Sequence, residues 1–246
     1  MRAQMCSKVC SKVRAHALMG KASRSSRASS HAAQVAAGSR LLETYAGLAQ
    51  RGAHLFGELL GGQTPKQWNH YPDDDAIDQG TGFQWFYHSH SPEDRPGAFE
   101  HGHIHLFARR KLWSRRLHSV REIEFGKLGS GASNPNTRHL LAIGLDAKGV
   151  PVSLFTVNSW VTGDLMLTAK TTADLLDRIR LDTGHPDVDA VVESLVRLCR
   201  VEIRTLLAQR DSALWAWPTP AVLTNERLDV LSELPICIDA KLAGLI

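Results

Sequence analysis

Five histidines lie within eighteen consecutive residues near the middle of the 246-residue chain. They are His88, His90, His101, His103 and His105. Neutral imidazole is the commonest protein ligand for transition metals, whereas protonated imidazoles repel one another at short range. The cluster therefore predicts a site for a divalent transition metal (Zn, Fe, Cu, Ni or Mn), with all five histidines as candidate ligands. Only three or four rings fit around one ion, so the others would orient the ligands or bind a second ion.

Two predicted β-strands carry these histidines. Gln84–His90 and Glu100–Phe107 are rich in aromatic and alternating residues, and residues 91–99 between them contain two prolines and a glycine. This pattern predicts a β-hairpin over residues 83–107. In the antiparallel register that places His88 opposite His103, facing Cβ atoms lie roughly 4.5–5.5 Å apart, within reach of one ion. A slip of one residue would turn one set of histidines away from the other.

Two resemblances accompany the histidine pattern. His-Gly-His-Ile-His-Leu-Phe at residues 101–107 resembles the motif of the histidine-triad nucleotide hydrolases and transferases, although Gly102 stands where that family prefers an apolar side chain. That resemblance implies that His103 is a nucleophile for a nucleotide α-phosphate. The wider pattern, Tyr-His-Ser-His followed by Glu-His-Gly-His-Ile-His, resembles a bacterial family of unknown function and implies no particular activity.

Further residues are candidates for proton transfer and for substrate or cofactor binding. His70 and Asp78 belong to a polar, acidic segment just before the first histidine strand, and Tyr87 lies within that strand. We take these three as candidate catalytic residues, while a solvated acidic loop is the alternative for Asp78. Asn158 and Trp160 follow a predicted strand and are candidate cofactor-binding residues that line a pocket, although a capped strand end explains Asn158 equally well.

The whole chain is predicted to be α+β, with one antiparallel sheet of about four strands packed against several helices. Alternating apolar residues indicate two further strands, His139–Leu145 and Val150–Asn158, joined by a tight turn. Apolar residues at helical spacing predict helices at Leu41–Leu60, Ala173–Leu181, Asp187–Gln209 and Asn225–Leu234. Residues 40–246 are expected to form a single domain.

Residues 1–39 are basic and free of carboxylates, which predicts a disordered basic tail. Eight of the 29 lysines and arginines precede the first acidic residue, Glu43, so the body holds 21 basic against 25 acidic residues. We therefore expect no nucleic-acid partner. No apolar run approaches the length of a membrane span, so no membrane partner is expected either. Without a secretory signal or a disulfide framework, the protein is expected to be cytoplasmic with reduced thiols.

The histidine cluster supports several functions. A metal-dependent enzyme acting on a small molecule is the leading hypothesis: three histidines and a water suit zinc hydrolysis, and two histidines with a carboxylate suit iron oxygen chemistry. The alternatives are a metal-binding or sensing module without catalysis, the nucleotide phosphohydrolase implied by the histidine-triad resemblance, and a pH-sensing interaction module. A deep pocket beside the hairpin would favour the enzyme over the sensor.

Overall fold

A single antiparallel sheet packs against helices, so the structure confirms the predicted α+β class. The computed structural model describes residues 24–89, 100–129, 136–217 and 220–245. Within them, the six strands lie in the sheet in their order along the chain. The strands are β1 (Tyr71–Ile77), β2 (Phe83–Ser89), β3 (Gly102–Arg109), β4 (Thr137–Leu145), β5 (Pro151–Val157) and β6 (Val230–Pro235).

Nine α-helices occur in the same described ranges. They are α1 (Arg24–Gln50), α2 (Leu55–Leu60), α3 (Arg110–Trp113), α4 (Val120–Gly126), α5 (Ser159–Thr162), α6 (Ala169–Leu176), α7 (Pro186–Leu198), α8 (Arg200–Trp215) and α9 (Ile238–Ala243). Short 3-10 helices lie at Ser114–Arg116, Lys127–Gly129 and Pro220–Thr224. Helices α1, α2, α6, α7 and α8 share one hydrophobic core with the sheet.

The two faces of the sheet differ because alternate residues of a strand point in opposite directions. Trp85, Tyr87 and Ile104 are fully buried in the main core with the helices, and we call their face the helix-facing side. Ala142 and Phe155 belong to a smaller cluster on the other face, which also carries His103 and is here called the histidine-bearing side. His88, His103 and His105 therefore lie on the side of the sheet away from the main core.

The sheet has six strands, whereas the sequence predicted about four. The hairpin strands and both later strands are confirmed, but β1 forms from the acidic segment, and β6 occupies the second half of the predicted helix Asn225–Leu234. Strand β1 lies at the edge of the sheet, and its Asp73 and Asp74 are exposed to solvent. Its sequence is therefore polar and resembles a loop. Short apolar runs such as β6 fit helix and strand periodicity alike.

The boundary of the predicted basic tail is corrected by helix α1, which begins at Arg24. Ala37 is buried, Gln34 Nε2 donates a hydrogen bond to the Leu198 carbonyl at 3.3 Å, and Arg40 pairs with Glu193 at 2.6 Å. Residues 34–40 therefore pack on the fold as part of α1, within and just beyond the stretch that the sequence predicted as a tail. Residues 1–23 lie outside the described part of the chain.

The expectation of reduced thiols holds for only one of the described cysteines. Cys199 is a buried free thiol, and burial raises its pKa to about 12. Cys237 is disulfide-bonded, so the expectation was wrong for that residue. Among the helices of the described ranges, none combines the length and the apolar character that crossing a bilayer requires.

Candidate metal centre

Three buried histidines meet on the histidine-bearing side of the β2–β3 hairpin. His88 lies directly opposite His103, and His105 is the next residue of β3 on the same face, as the sequence predicted. The Nε2 atoms of His88 and His103 are 2.7 Å apart, and the ring centroid of His105 lies 4.6 Å from that of His103. One ring nitrogen from each residue lies within 4.8 Å of the others. We call these three residues the histidine triangle; they could hold one metal ion.

Gly102 allows the hairpin strands to pair closely at this point. It occupies the helix-facing position just before His103, where a Cβ atom would lie 2.4 Å from the His88 carbonyl oxygen and 2.5 Å from the Tyr87 hydroxyl oxygen. Contacts below 3.0 Å do not occur for real Cβ atoms, so any side chain at residue 102 would separate the strands. The glycine thus preserves the register that brings His88 and His103 together.

The buried carboxylate of Glu100 lies next to the Nδ1 atom of His103. Glu100 Oε1 lies 3.5 Å from His103 Nδ1, and Glu100 Oε2 accepts a hydrogen bond from the Ser153 hydroxyl at 2.8 Å. Gly144 leaves room for this carboxylate, because a Cβ there would lie 2.4 Å from Glu100 Oε2. A carboxylate near the Nδ1 atom is a common neighbour of metal-bound histidines, whose Nε2 atom then faces the metal.

A fourth histidine, His139 on β4, contacts the Nδ1 atom of His105. Its Nε2 atom lies 3.0 Å from His105 Nδ1, and its side chain is fully enclosed. Burial, together with the nearby Arg210 guanidinium, lowers the pKa of His139 to about 3. His139 is therefore neutral at physiological pH and can accept the Nδ1 proton of His105, which leaves His105 Nε2 to face His88 and His103.

A cavity of about 400 Å³ opens directly beside the histidine triangle. The remaining wall is mostly aromatic and aliphatic. It is formed by Trp68, His70, Phe86, Phe155, Val157, Trp160, Val161, Thr162, Asp229 and Val230. Its size lies within the range of small-molecule sites, roughly 300–1,000 Å³. A metal held by three imidazoles would thus have an adjacent volume in which a water or a substrate atom can complete its coordination.

Comparison with known proteins places the chain in a family. A family model described as Domain of unknown function (DUF6969) matches residues 35–236. The chain belongs to this family. The matched region contains the histidine triangle, His139 and all six strands. Searches of the curated proteins and of the solved structures found no significant match.

One of the five predicted ligands, His101, does not join the triangle in this member of the DUF6969 family. His101 precedes β3, so the alternation of the strand does not extend to it. Its Nδ1 atom lies 3.2 Å from the Tyr87 hydroxyl, and its ring lies 5.3 Å from that of Phe56 in the main core. His101 therefore lies on the helix-facing side, and its prediction as a ligand was wrong. His90 lies outside the described residues.

Tyr87 and Asp78, two predicted catalytic residues, lie away from the triangle. Tyr87 points to the helix-facing side, where burial, with a smaller contribution from Tyr71, raises the pKa of its phenol. Asp78 lies in the β1–β2 turn, at the other end of β2 from His88. Burial of Asp78 opposes ionisation, but hydrogen bonds from Thr81 and from backbone amides outweigh it and hold the pKa of the carboxyl below its usual value. Neither side chain lines the cavity beside the histidine triangle.

His70 is the predicted catalytic residue that the structure brings to the cavity. Its ring stacks on Phe86 with centroids 3.6 Å apart, and its Nδ1 atom lies 2.9 Å from Asp75 Oδ1. Asp75 also accepts a hydrogen bond from Gln84 Nε2 at 2.6 Å, and Gln84 Oε1 accepts one from Arg109 at 2.8 Å. This chain of contacts fixes His70 at the edge of the site.

The two predicted pocket residues have different positions. Trp160 lines the cavity, and its indole nitrogen donates a hydrogen bond to the Leu228 carbonyl at 3.0 Å. Asn158 is fully buried and caps α5, because its Oδ1 accepts a hydrogen bond from the Ser159 amide and its Nδ2 donates one to the Val222 carbonyl. The strand-end explanation therefore applies to Asn158, which does not line the cavity.

Proposed function

We propose that the protein is a metal-dependent enzyme that acts on a small molecule, as a hydrolase or an oxidoreductase. His88, His103 and His105 would hold one divalent transition metal, and the substrate would occupy the adjoining cavity. The observation that carries this proposal is the convergence of three buried imidazoles at the wall of a 400 Å³ cavity.

Neighbouring side chains contact the candidate ligands, which favours a metal site over a histidine-rich pocket without metal. Glu100 stands behind His103, and His139 stands behind His105, so two of the three rings are held from the side away from the cavity. Metal-binding histidines are commonly held in this way. A donor set of imidazole nitrogens suits Zn, Cu, Fe and Ni, and with the oxygen of a bound water it also suits Mn.

Three protein ligands and an open side are the arrangement of catalytic sites, whereas structural zinc sites use four protein ligands and are closed. The metal would supply a Lewis acid or a redox centre. His70 would accept and donate protons at the edge of the cavity. Because its Nδ1 atom contacts Asp75, Nε2 would be the nitrogen that exchanges a proton with the substrate. The cavity also favours an enzyme over a sensing module, which needs no such space. The family match gives no support to the histidine-triad resemblance.

Elemental analysis of the full chain, purified without chelator, tests the proposal. We expect about one equivalent of transition metal per chain, or the uptake of about one equivalent after incubation with Zn, Fe, Cu, Ni or Mn and gel filtration. Turnover of a panel of ester, amide and catechol compounds is expected only from the metal-loaded protein. Absence of stoichiometric metal after loading would contradict the metal site, and turnover that survives complete chelation would contradict the metal-dependent mechanism.

A further inference from the structure

We propose that the cavity accepts an aromatic molecule, a planar ring system of one or two fused rings that directs an oxygen-bearing head group at the histidine triangle. The orientation of the head group rests on the proposed metal function. The preference for an aromatic ring rests on the cavity wall alone, so the two parts can be tested separately.

Aromatic rings border the histidine triangle inside the cavity. The Phe155 ring lies 4.9 Å from that of His103 at an interplanar angle of 89°, and the Phe86 ring lies 5.1 Å from that of His105. Val157 and Val230 extend this apolar wall. A ligand ring placed here would find faces and edges of other rings at the offset and perpendicular geometries that aromatic pairs prefer. The part of the molecule next to the triangle would therefore be apolar and flat.

Two tryptophans stand at the outer part of the cavity, and both remain partly in solvent. The exposed fraction is 57% for Trp68 and 38% for Trp160. The Trp160 indole is held by its hydrogen bond to Leu228, and the Trp68 ring lies 6.0 Å from that of His88 in an edge-on arrangement. A ligand ring would cover apolar indole surface that folding leaves in water, which is a favourable source of binding energy.

The backbone of Trp68 gives independent support for a role in binding. Its φ angle is +66°, a left-handed conformation that is disfavoured for a bulky residue. In the described ranges, one other non-glycine residue has positive φ, and it is Asp75, which holds His70 at the same cavity. Strained backbone of this kind concentrates at functional sites.

Size and charge further limit the ligand class. A volume of 400 Å³ lies near the lower end of the range for small-molecule sites, which suits one or two fused rings better than a nucleotide or a peptide. Apart from histidines, Asp229 is the one ionisable side chain among the described residues of the wall. A carboxylate at the wall disfavours a ligand whose outer part carries phosphate.

A hydroxamate series on zinc-loaded protein tests the inference, because the chelating head stays constant while the tail changes. Acetohydroxamate and benzohydroxamate are titrated by calorimetry. We expect benzohydroxamate to bind on the order of ten-fold tighter, since its ring buries additional apolar surface. In Trp68→Gly the gain from the ring is expected to shrink several-fold with acetohydroxamate unchanged. Glycine accepts the positive φ without strain, so this variant is expected to fold. Trp215→Ala, an exposed tryptophan outside the cavity, is the matched control.

The outcomes separate the two proposals. Binding of acetohydroxamate with no gain for benzohydroxamate overturns the aromatic inference and leaves the metal site intact. If the protein takes up no metal, naphthalene is titrated instead by quenching of tryptophan fluorescence. Saturable quenching that Trp68→Gly weakens and Trp215→Ala does not would support the aromatic cavity on its own. Absence of saturable quenching in the wild-type chain would overturn it.

Discussion

His103→Ala is expected to weaken metal binding by roughly 100-fold to 1,000-fold in Kd. His103 makes the two shortest ring contacts of the histidine triangle, 4.4 Å to His88 and 4.6 Å to His105 between centroids. The binding free energy of a structural zinc ion is roughly 10–16 kcal/mol, which is roughly 3 kcal/mol for each of four ligands. Loss of one ligand therefore corresponds to a rise in Kd on the order of 100-fold to 1,000-fold. Competition titration against a chromophoric chelator measures this change, and circular dichroism verifies the fold of the variant.

Three matched histidine variants sharpen that experiment. His118→Ala removes an exposed histidine and is expected to leave the Kd unchanged. His101→Ala is also expected to retain full metal affinity, because His101 lies on the opposite side of the sheet. His139→Phe keeps an aromatic ring but removes the acceptor for His105, so its Kd is expected to rise by about 10- to 100-fold. Loss of binding in His101→Ala equal to that in His103→Ala would contradict the ligand set.

Gly102→Ala is expected to destabilise the protein severely and to weaken metal binding as well. The added Cβ would lie 2.4 Å from the His88 carbonyl oxygen, a backbone atom that can move only if the hairpin strands separate. Overpacking of this kind costs about 3 kcal/mol in the free energy of unfolding, which lowers Tm by roughly 10 °C in a chain of this size. Thermal unfolding of the metal-free protein isolates the effect on the fold.

Gly126→Ala is the control for the glycine experiment. Gly126 ends helix α4, and a Cβ there would meet nothing within 4 Å. Alanine favours helix over glycine, so this variant is expected to be as stable as the wild type or more stable by up to about 1 kcal/mol. Equal stability of Gly102→Ala and Gly126→Ala would show that strand pairing at residue 102 is looser than the structure indicates.

The core of the site could be predicted from sequence because it depends on local periodicity. His88, His103 and His105 lie on two strands joined by a short connection, and a side-chain period of two residues determines their face. The pairing of His88 with His103 follows from one assumption about register, which the structure confirms. His101 was misplaced because the strand begins one residue after it, and strand ends are the least regular part of such a pattern.

The position of His139 at the site could not be predicted from sequence. The face of the sheet on which it lies depends on an irregularity in the pairing of β4 with β3. The sequence places it in one row with Leu141 and Ile143, which face the main core. A register shift where β3 pairs with β4 instead pairs His139 with Phe107 and turns it toward His105. The sequence signal for a role of His139 was its position at the start of the strand that follows the histidine-rich hairpin.

The cavity was equally beyond sequence reasoning, because residues far apart in the chain form its wall. Trp68 precedes β1, Phe155 lies on β5, and Val230 begins β6, a strand that periodicity assigned to a helix. Trp160 lies at the cavity because the polar and aromatic residues after β5 form a short capped helix beside the sheet. Neighbouring Asn158 shares the segment but turns inward to cap that helix.

Anomalous diffraction from crystals of the zinc-loaded protein tests the central claim most directly. We expect one strong zinc peak per chain, about 2.0–2.1 Å from a ring nitrogen of each of His88, His103 and His105, and open toward the cavity. A peak bound by other residues, or the absence of a peak at the histidine triangle in protein that holds stoichiometric zinc, would contradict the claim.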